Sequence, residues 1–335
     1  MPNFTLGLSG DEAMSSVPHL LLVAGSGRSG STILDLALSK SLPGFSVGEF
    51  RWLWSRGLDD PRQCSCGSPI PDCSFWQAVS AELHDRTDVG PREWGAHLEA
   101  VLQRRRAAHR VAFDTHGRLA QPLVPFFSNV YDIIRANSRA SVIIDSSKFF
   151  AFVSLAYAHT NLSPLVVHLV RDPRAVAYSW TRRRKRPDVT GRTAYMPRYP
   201  AWKVARSWVY QQLTILRLAR RWDHYLLLRY EDFSSRPEAN IQAIRERLSL
   251  RHGQACSTKT SHAVDGNPVR FSGSTLPPIR PDLEWLQRLP LSSRLLVTVL
   301  TAPLLSRFRY PLFVSKRKND ANHEHEEPSS LDSKD

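Results

Sequence analysis

The stretch LLLVAGSGRSGST, residues 20–32, constrains the fold more than any other part of the chain. An apolar run over 19–24 enters a loop holding Gly25, Gly27 and Gly30, and Ile33, Leu34, Leu36, Ala37 and Leu38 then fall at helical spacing. The order is strand, glycine loop, helix. Converging backbone N–H groups and the positive end of a helix make such a loop an anion site, so phosphate is the expected ligand. Two fingerprints fit. As G-x-G-x-x-G it is a dinucleotide loop, with Glu49, 19 residues beyond Gly30, where a ribose-binding acid belongs. As G-x-x-x-x-G-K-[ST] it is a nucleoside-triphosphate loop, but Ser31 stands in place of the lysine and Arg28 carries the positive charge. The hydroxyls of Ser31 and Thr32 open the helix facing where phosphate oxygens belong, and the arrangement suits a shorter anion held without a metal.

Further buried-strand candidates are 142–145, 165–170 and 225–228, short apolar runs of the kind that parallel sheets cover on both faces. Helical patterns separate them. The segment 74–140 reads as several helices inserted between the first two core strands, capping the sheet. Strands alternating with helices predict a doubly wound α/β architecture, with the helical insertion after the first strand–helix unit.

The chain divides into a flexible start over 1–17, one domain over 18–312 and a charged disordered tail over 313–335. The start has no basic region leading into an apolar one, and no stretch is long and apolar enough to span a bilayer, so a cytoplasmic protein is expected. Net charge is +14, which calls for an anionic partner without saying which: nucleic acid, an acidic membrane surface or a phosphorylated small molecule. Only eight of the 45 basic residues are lysines, as a GC-rich bacterial genome would encode. Cys64, Cys66, Cys73 and the distant Cys256 have enough thiols for a zinc site but match no standard C-x-x-C pair, and they are read as reduced thiols in a small packed subdomain, with no metal. A disulfide is disfavoured in a reducing compartment.

A second anion site follows the strand at 165–170. In VRDPRAVAYS, Arg171 ends the strand, Pro173 opens a helix and Ser179 follows eight residues after Arg171, so both side chains reach one phosphate. A nucleotide phosphorylated at its 5′ and 3′ ends answers both sites. Here the sequence resembles the sulfotransferase superfamily, in its bacterial, actinobacterial-type branch, whose donor is 3′-phosphoadenosine-5′-phosphosulfate (PAPS). GSGRSGST is similar to the family's 5′-phosphosulfate loop and RDPRAVAYS to its 3′-phosphate motif; YEDF at 230–233 and GNPVR at 266–270 extend the likeness. The resemblance implies a P-loop NTPase-like parallel sheet. It implies that Gly27, Arg28, Ser29, Gly30, Ser31 and Thr32 hold the 5′-phosphosulfate, that Arg171 and Ser179 hold the 3′-phosphate, and that Arg270 adds a cationic contact. It also accounts for the absent lysine, since no β,γ-phosphate bridge is made.

Sulfuryl transfer is a loose in-line displacement like phosphoryl transfer, so the protein must position, neutralise charge and remove the acceptor's proton. Glu49 stands where some family branches carry a glutamate base; a structural acid paired with Arg51 or Arg56 is its plain alternative. Lys148, after the strand at 142–145, is the candidate for stabilising the bridging oxygen together with Arg28. His168, inside VVHLV, reads as a core histidine. The basic run 182–186 (RRRKR) reads as a lid or acceptor contact, and the tryptophans at 52, 54, 76, 202 and 208 could stack on ligand or fill the core. The expected partners are the nucleotide donor and a hydroxyl-bearing carbohydrate, lipid or small metabolite. A kinase using ATP, a dinucleotide-dependent oxidoreductase and a nucleic-acid-binding module are the rivals.

Overall fold

The computed structural model describes residues 18–57, 62–186, 189, 193–250, 261–264 and 279–314. Five parallel strands, β1 (Leu20–Gly25), β2 (Gly44–Gly48), β3 (Val142–Lys148), β4 (Pro164–Val170) and β5 (Tyr225–Arg229), form one sheet in the order β2-β3-β1-β4-β5. Every residue of β1 through β4 is buried, because helices cover both faces and neither face can afford a polar alternation. Along β1, Leu20, Leu22 and Ala24 join the core built with the inserted helices, while Leu21 and Val23 join the core against the helix Ser31–Ser41.

The expected α/β sheet is observed with one difference: β2 separates the first strand–helix unit from the inserted helices, which run between β2 and β3. Two glycines and a serine in GFSVG gave β2 no strand signal, yet Phe45 and Val47 bury their side chains in the core and the small residues permit close neighbours. At Gly48 the backbone takes φ +70°, and a Cβ there would lie 2.5 Å from the carbonyl oxygen of Val264. That glycine lets the segment 261–264 lie directly on the end of β2.

Neighbouring strands β1 and β4 send their connections toward opposite edges of the sheet, the first to β2 and the second to β5. Ligands gather at such a reversal, outside the carboxyl ends of the strands. The expected flexible start over 1–17 and the charged tail, apart from residues 313–314, lie outside the described residues. Among the described residues no helix is long and apolar enough to cross a membrane.

Candidate functional site

The glycine loop leaves β1 at the reversal and turns into the helix Ser31–Ser41 at Gly30, whose φ is +93° and which carries no side-chain cap, leaving the leading helix amides facing the loop. Added bulk has no room there: a Cβ on Gly30 would lie 2.3 Å from the Tyr230 ring. The hydroxyls of Ser26 and Ser29 are buried in the loop without a hydrogen-bond partner, as is Nε of Arg171. Buried donors of this kind normally find partners, so an oxygen-rich anion fits the loop. Arg28 takes φ +69° and lays its guanidinium 5.0 Å from the Trp180 ring.

Arg171, at the end of β4, donates from Nη1 to the carbonyl oxygen of Arg28 at 3.0 Å and from Nη2 to Asp282 at 2.6 Å, and stacks 4.8 Å from the Tyr230 ring. Its guanidinium is thereby tied to the glycine loop. Ser179, on the helix Pro173–Thr181, lines the same cleft. Arg270 lies outside the described residues.

Glu49 follows β2 and Lys148 ends β3; their side chains meet at 2.5 Å. Lys148 takes φ +66°, a conformation costly for a side-chain-bearing residue and one that surrounding structure must enforce. Arg51 and Arg56, the arginines considered as partners of Glu49, stack on Trp52 at 3.9 and 3.3 Å. A continuous wall starts at this pair. Arg51 also stacks 5.1 Å from Phe149, which packs at 4.6 Å on Phe150, Phe150 at 5.7 Å on Tyr210, and Tyr210 receives Arg105 at 4.1 Å.

Apart from Ser26 and Ser29, these groups line one cleft of about 1180 Å³, in which ten basic side chains face three carboxylates. Burial, and then the charge of Arg182, push the proton affinity of Arg184 in that lining down from the usual arginine range. Such concentrated positive charge is stabilised by an anionic ligand.

The arms of the basic run are ordered around the cleft. Lys185 bridges antiparallel to Tyr195, and Arg184 and Arg186 line the cavity while Arg182 pairs with Glu284 at 2.6 Å. The tryptophans divide: Trp52 and Trp202 line the cleft, whereas Trp54, Trp76 and Trp208 are buried in the core. His168 is fully buried, its Nε2–H donating to Gln212 at 2.6 Å and its Nδ1 accepting the Tyr225 hydroxyl at 2.8 Å, so it is the core histidine expected. Asp145 accepts from the Tyr131 hydroxyl and the Ser147 amide, both at 2.7 Å, and Asp172 caps its helix and pairs with Arg174 at 2.7 Å. These engagements take up the two strand-end aspartates that a magnesium-dependent reading would call on.

Sequence reasoning missed Asp282, the partner of Arg171, and Tyr230 as the lid on Gly30; only the YEDF likeness pointed toward the latter. Away from the cleft it grouped the three cysteines in one packed subdomain but missed the histidine that joins them. Cys64, Cys66 and Cys73 converge with His262, and Cys256 lies outside the described residues.

Several solved sulfotransferases align with the chain at low identity. The sulfotransferase domain of the Synechococcus PCC 7002 olefin synthase aligns at 19% identity and a TM-score of 0.49, covering 88% of this chain and 95% of that one. The sulfotransferase domain from the curacin biosynthetic pathway aligns at 14% and 0.48, covering 88% and 98%. Sulfotransferase STF9 from Mycobacterium avium aligns at 13% and 0.43, covering 88% and 78%. No curated protein matches the chain. The profile of the Sulfotransferase family matches residues 20–253, well over half of the sequence and including the glycine loop, Glu49, Lys148, Arg171 and Ser179, and the chain therefore belongs to that family.

Proposed function

We propose that the chain transfers a sulfuryl group from PAPS to the hydroxyl of a carbohydrate, lipid or small metabolite. The observation that carries this reading is the convergence in one cleft of the glycine loop, the Arg171–Ser179 site and the Glu49–Lys148 pair, each delivered by a different strand end. In this reading Gly27 to Thr32 hold the 5′-phosphosulfate, and Arg171 and Ser179 hold the 3′-phosphate. The donor supplies a sulfuryl group already attached to a phosphate leaving group.

Glu49 takes the proton of the acceptor hydroxyl as its oxygen bonds to sulfur and the bond from sulfur to the 5′-phosphate oxygen breaks. Lys148 and Arg28 neutralise the charge that develops on that departing oxygen. The products are a sulfate ester and 3′,5′-adenosine bisphosphate. On the acceptor side, the wall of rings and guanidinium groups from Trp52 to Arg105 favours a compound with an apolar body, because stacked aromatic surface gains most from covering apolar groups.

Two features weigh against the rivals. In a dinucleotide fold the ribose-binding acid ends the strand beside β1, whereas here β3 lies between β1 and the strand that Glu49 follows. A kinase loop would need the lysine that Ser31 replaces. Calorimetric titration separates the readings: tight binding of 3′,5′-adenosine bisphosphate without magnesium is expected. Preference for ATP with magnesium, for NAD or for duplex nucleic acid would overturn the proposal in favour of the corresponding rival.

A further inference from the structure

We propose that Cys64, Cys66, Cys73 and His262 bind one zinc ion, which fastens the segment 261–264 to the end of β2. The four ligand atoms lie within 4.8 Å of one another. Cys73 Sγ is 3.8 Å from Cys64 Sγ and 3.8 Å from Cys66 Sγ, and Nδ1 of His262 is 3.2 Å from Cys73 Sγ and 3.7 Å from Cys64 Sγ. A tetrahedral zinc with bonds of about 2.3 Å to sulfur and about 2.0 Å to nitrogen separates its sulfurs by roughly 3.8 Å and sulfur from nitrogen by roughly 3.5 Å. These four separations, 3.2 to 3.8 Å, lie close to four edges of that tetrahedron, and the other two stay within 4.8 Å. Three thiolates and one imidazole form the ligand set of a closed structural site, and soft sulfur donors in tetrahedral array select zinc over oxygen-seeking cations.

Local structure holds the ligands in place. Gly67, at φ +97°, returns its N–H to the Cys64 carbonyl at 2.9 Å, so the CSCG turn presents both thiols to one side. His262 stacks on Phe75 at 4.7 Å with a 13° interplanar angle, and its carbonyl accepts from Nε1 of Trp76 at 3.0 Å. Cys64 and Cys73 are buried, while Cys66 and His262 are half-buried, leaving a path for the ion to enter. Because the metal binds thiolates, binding releases protons from any thiol still protonated.

The ion has a consequence for Glu49. Two residues beyond His262, Val264 donates to the Val47 carbonyl at 3.0 Å and accepts from the Glu49 amide at 2.8 Å. Ser65, between two ligands, accepts from the Ala263 amide on its hydroxyl at 2.8 Å, and its own amide donates to the Ala263 carbonyl at 3.1 Å. The zinc therefore secures the backbone from which Glu49 projects, although Glu49 lies about 215 residues of sequence before Val264.

The test needs no transferase assay, so its outcome is independent of the proposed reaction. The full-length chain, produced with zinc in the medium, is expected to carry about one equivalent of zinc by elemental analysis, and Cys73→Ser and His262→Ala should lose most of it. Cobalt replacement should give the intense ligand-field and thiolate charge-transfer bands of a tetrahedral sulfur-rich site. Because a ligand loss could also unfold the protein, His262→Cys serves as the conservative variant: it should keep the ion and shift the cobalt bands. Chelation should speed hydrogen exchange of the Glu49 and Val264 amides about tenfold or more. Zinc-free parent protein, iron in its place, a disulfide among the three cysteines, or an unchanged cobalt spectrum in His262→Ala would each overturn the proposal.

Discussion

The ammonium of Lys148 lies 2.5 Å from the carboxylate of Glu49, tying the end of β3 to the end of β2 inside the cleft. If Glu49 is the base, Glu49→Gln should lower turnover about 10²- to 10⁴-fold, the usual yield of general-base catalysis, while leaving bisphosphate affinity nearly unchanged. Lys148→Met should also lower turnover, and the double variant should lose far less than the product of the two single losses, because paired groups act as a unit. Single-turnover kinetics with calorimetry on the same variants reads both quantities. Turnover within a few-fold of the parent in Glu49→Gln removes it from the mechanism.

Arg171→Ala and Ser179→Ala should weaken 3′,5′-adenosine bisphosphate much more than adenosine 5′-phosphate, which lacks the group they are proposed to hold. The arginine should matter more, since a charge-assisted hydrogen bond contributes about twice a neutral one. Equal losses for the two nucleotides, measured by titration, would remove the 3′-phosphate assignment.

Asp282 occupies with its carboxylate the Nη2 face of Arg171 to which the 3′-phosphate is proposed to bind. Its side chain is 30% exposed, so the pair is worth only about 0.5–1 kcal/mol. Asp282→Asn should therefore tighten bisphosphate binding about two- to five-fold, and the gain should shrink as salt is raised. Weaker binding in this variant would instead make Asp282 a contributor to the site.

Gly30→Ala places a methyl group 2.3 Å from the Tyr230 ring at a φ of +93°. A destabilisation of about 1–3 kcal/mol is expected from the backbone conformation alone, visible as a lower thermal midpoint. In a Tyr230→Ala background the same change should cost less, since the clash is gone and only the conformational part remains.

Two buried groups make the acid response a difference of opposing effects. Burial holds His168 down to about 4, so from pH 6.5 downward the unfolded chain gains a proton that the folded protein refuses, and stability is lost as pH falls through that window. Burial lifts Asp145 to about 6 from its ordinary 3.8, so stability from its protonation is full below 3.8 and lost as pH rises through 6. Each corresponds to about 3 kcal/mol, and between pH 6 and 4 they nearly cancel. Asp145→Asn should make denaturant-unfolding stability fall more steeply on acidification than in the parent, and His168→Gln should make it fall less steeply. Parallel curves for all three proteins would contradict the opposition.

Much of the site was legible because its chemistry is local. The glycine loop with its flanking strand and helix, and the ten-residue span holding Arg171 and Ser179, are each read within one turn of chain. Glu49 was placed without its strand: GFSVG has too many small residues for strand propensity, and its burial depends on neighbours from β3 and Val264. His262 could not be found at all from spacing, since 189 residues separate it from Cys73 and only the fold brings their ligand atoms to 3.2 Å. Asp282 escaped for the same reason, lying 111 residues beyond the arginine it pairs with.

The short bridge from Val264 to β2 also sets an order of assembly. All five strands precede residue 230, so the sheet can close on the emerging chain before Val264 leaves the ribosome. Until then the Val47 carbonyl and the Glu49 amide lack their Val264 partners, and open groups at the end of a strand are the kind that recruit other chains. Sheet formation thus reports only that the first two thirds have been translated, while a fully bracketed Glu49 reports that nearly all of the domain has.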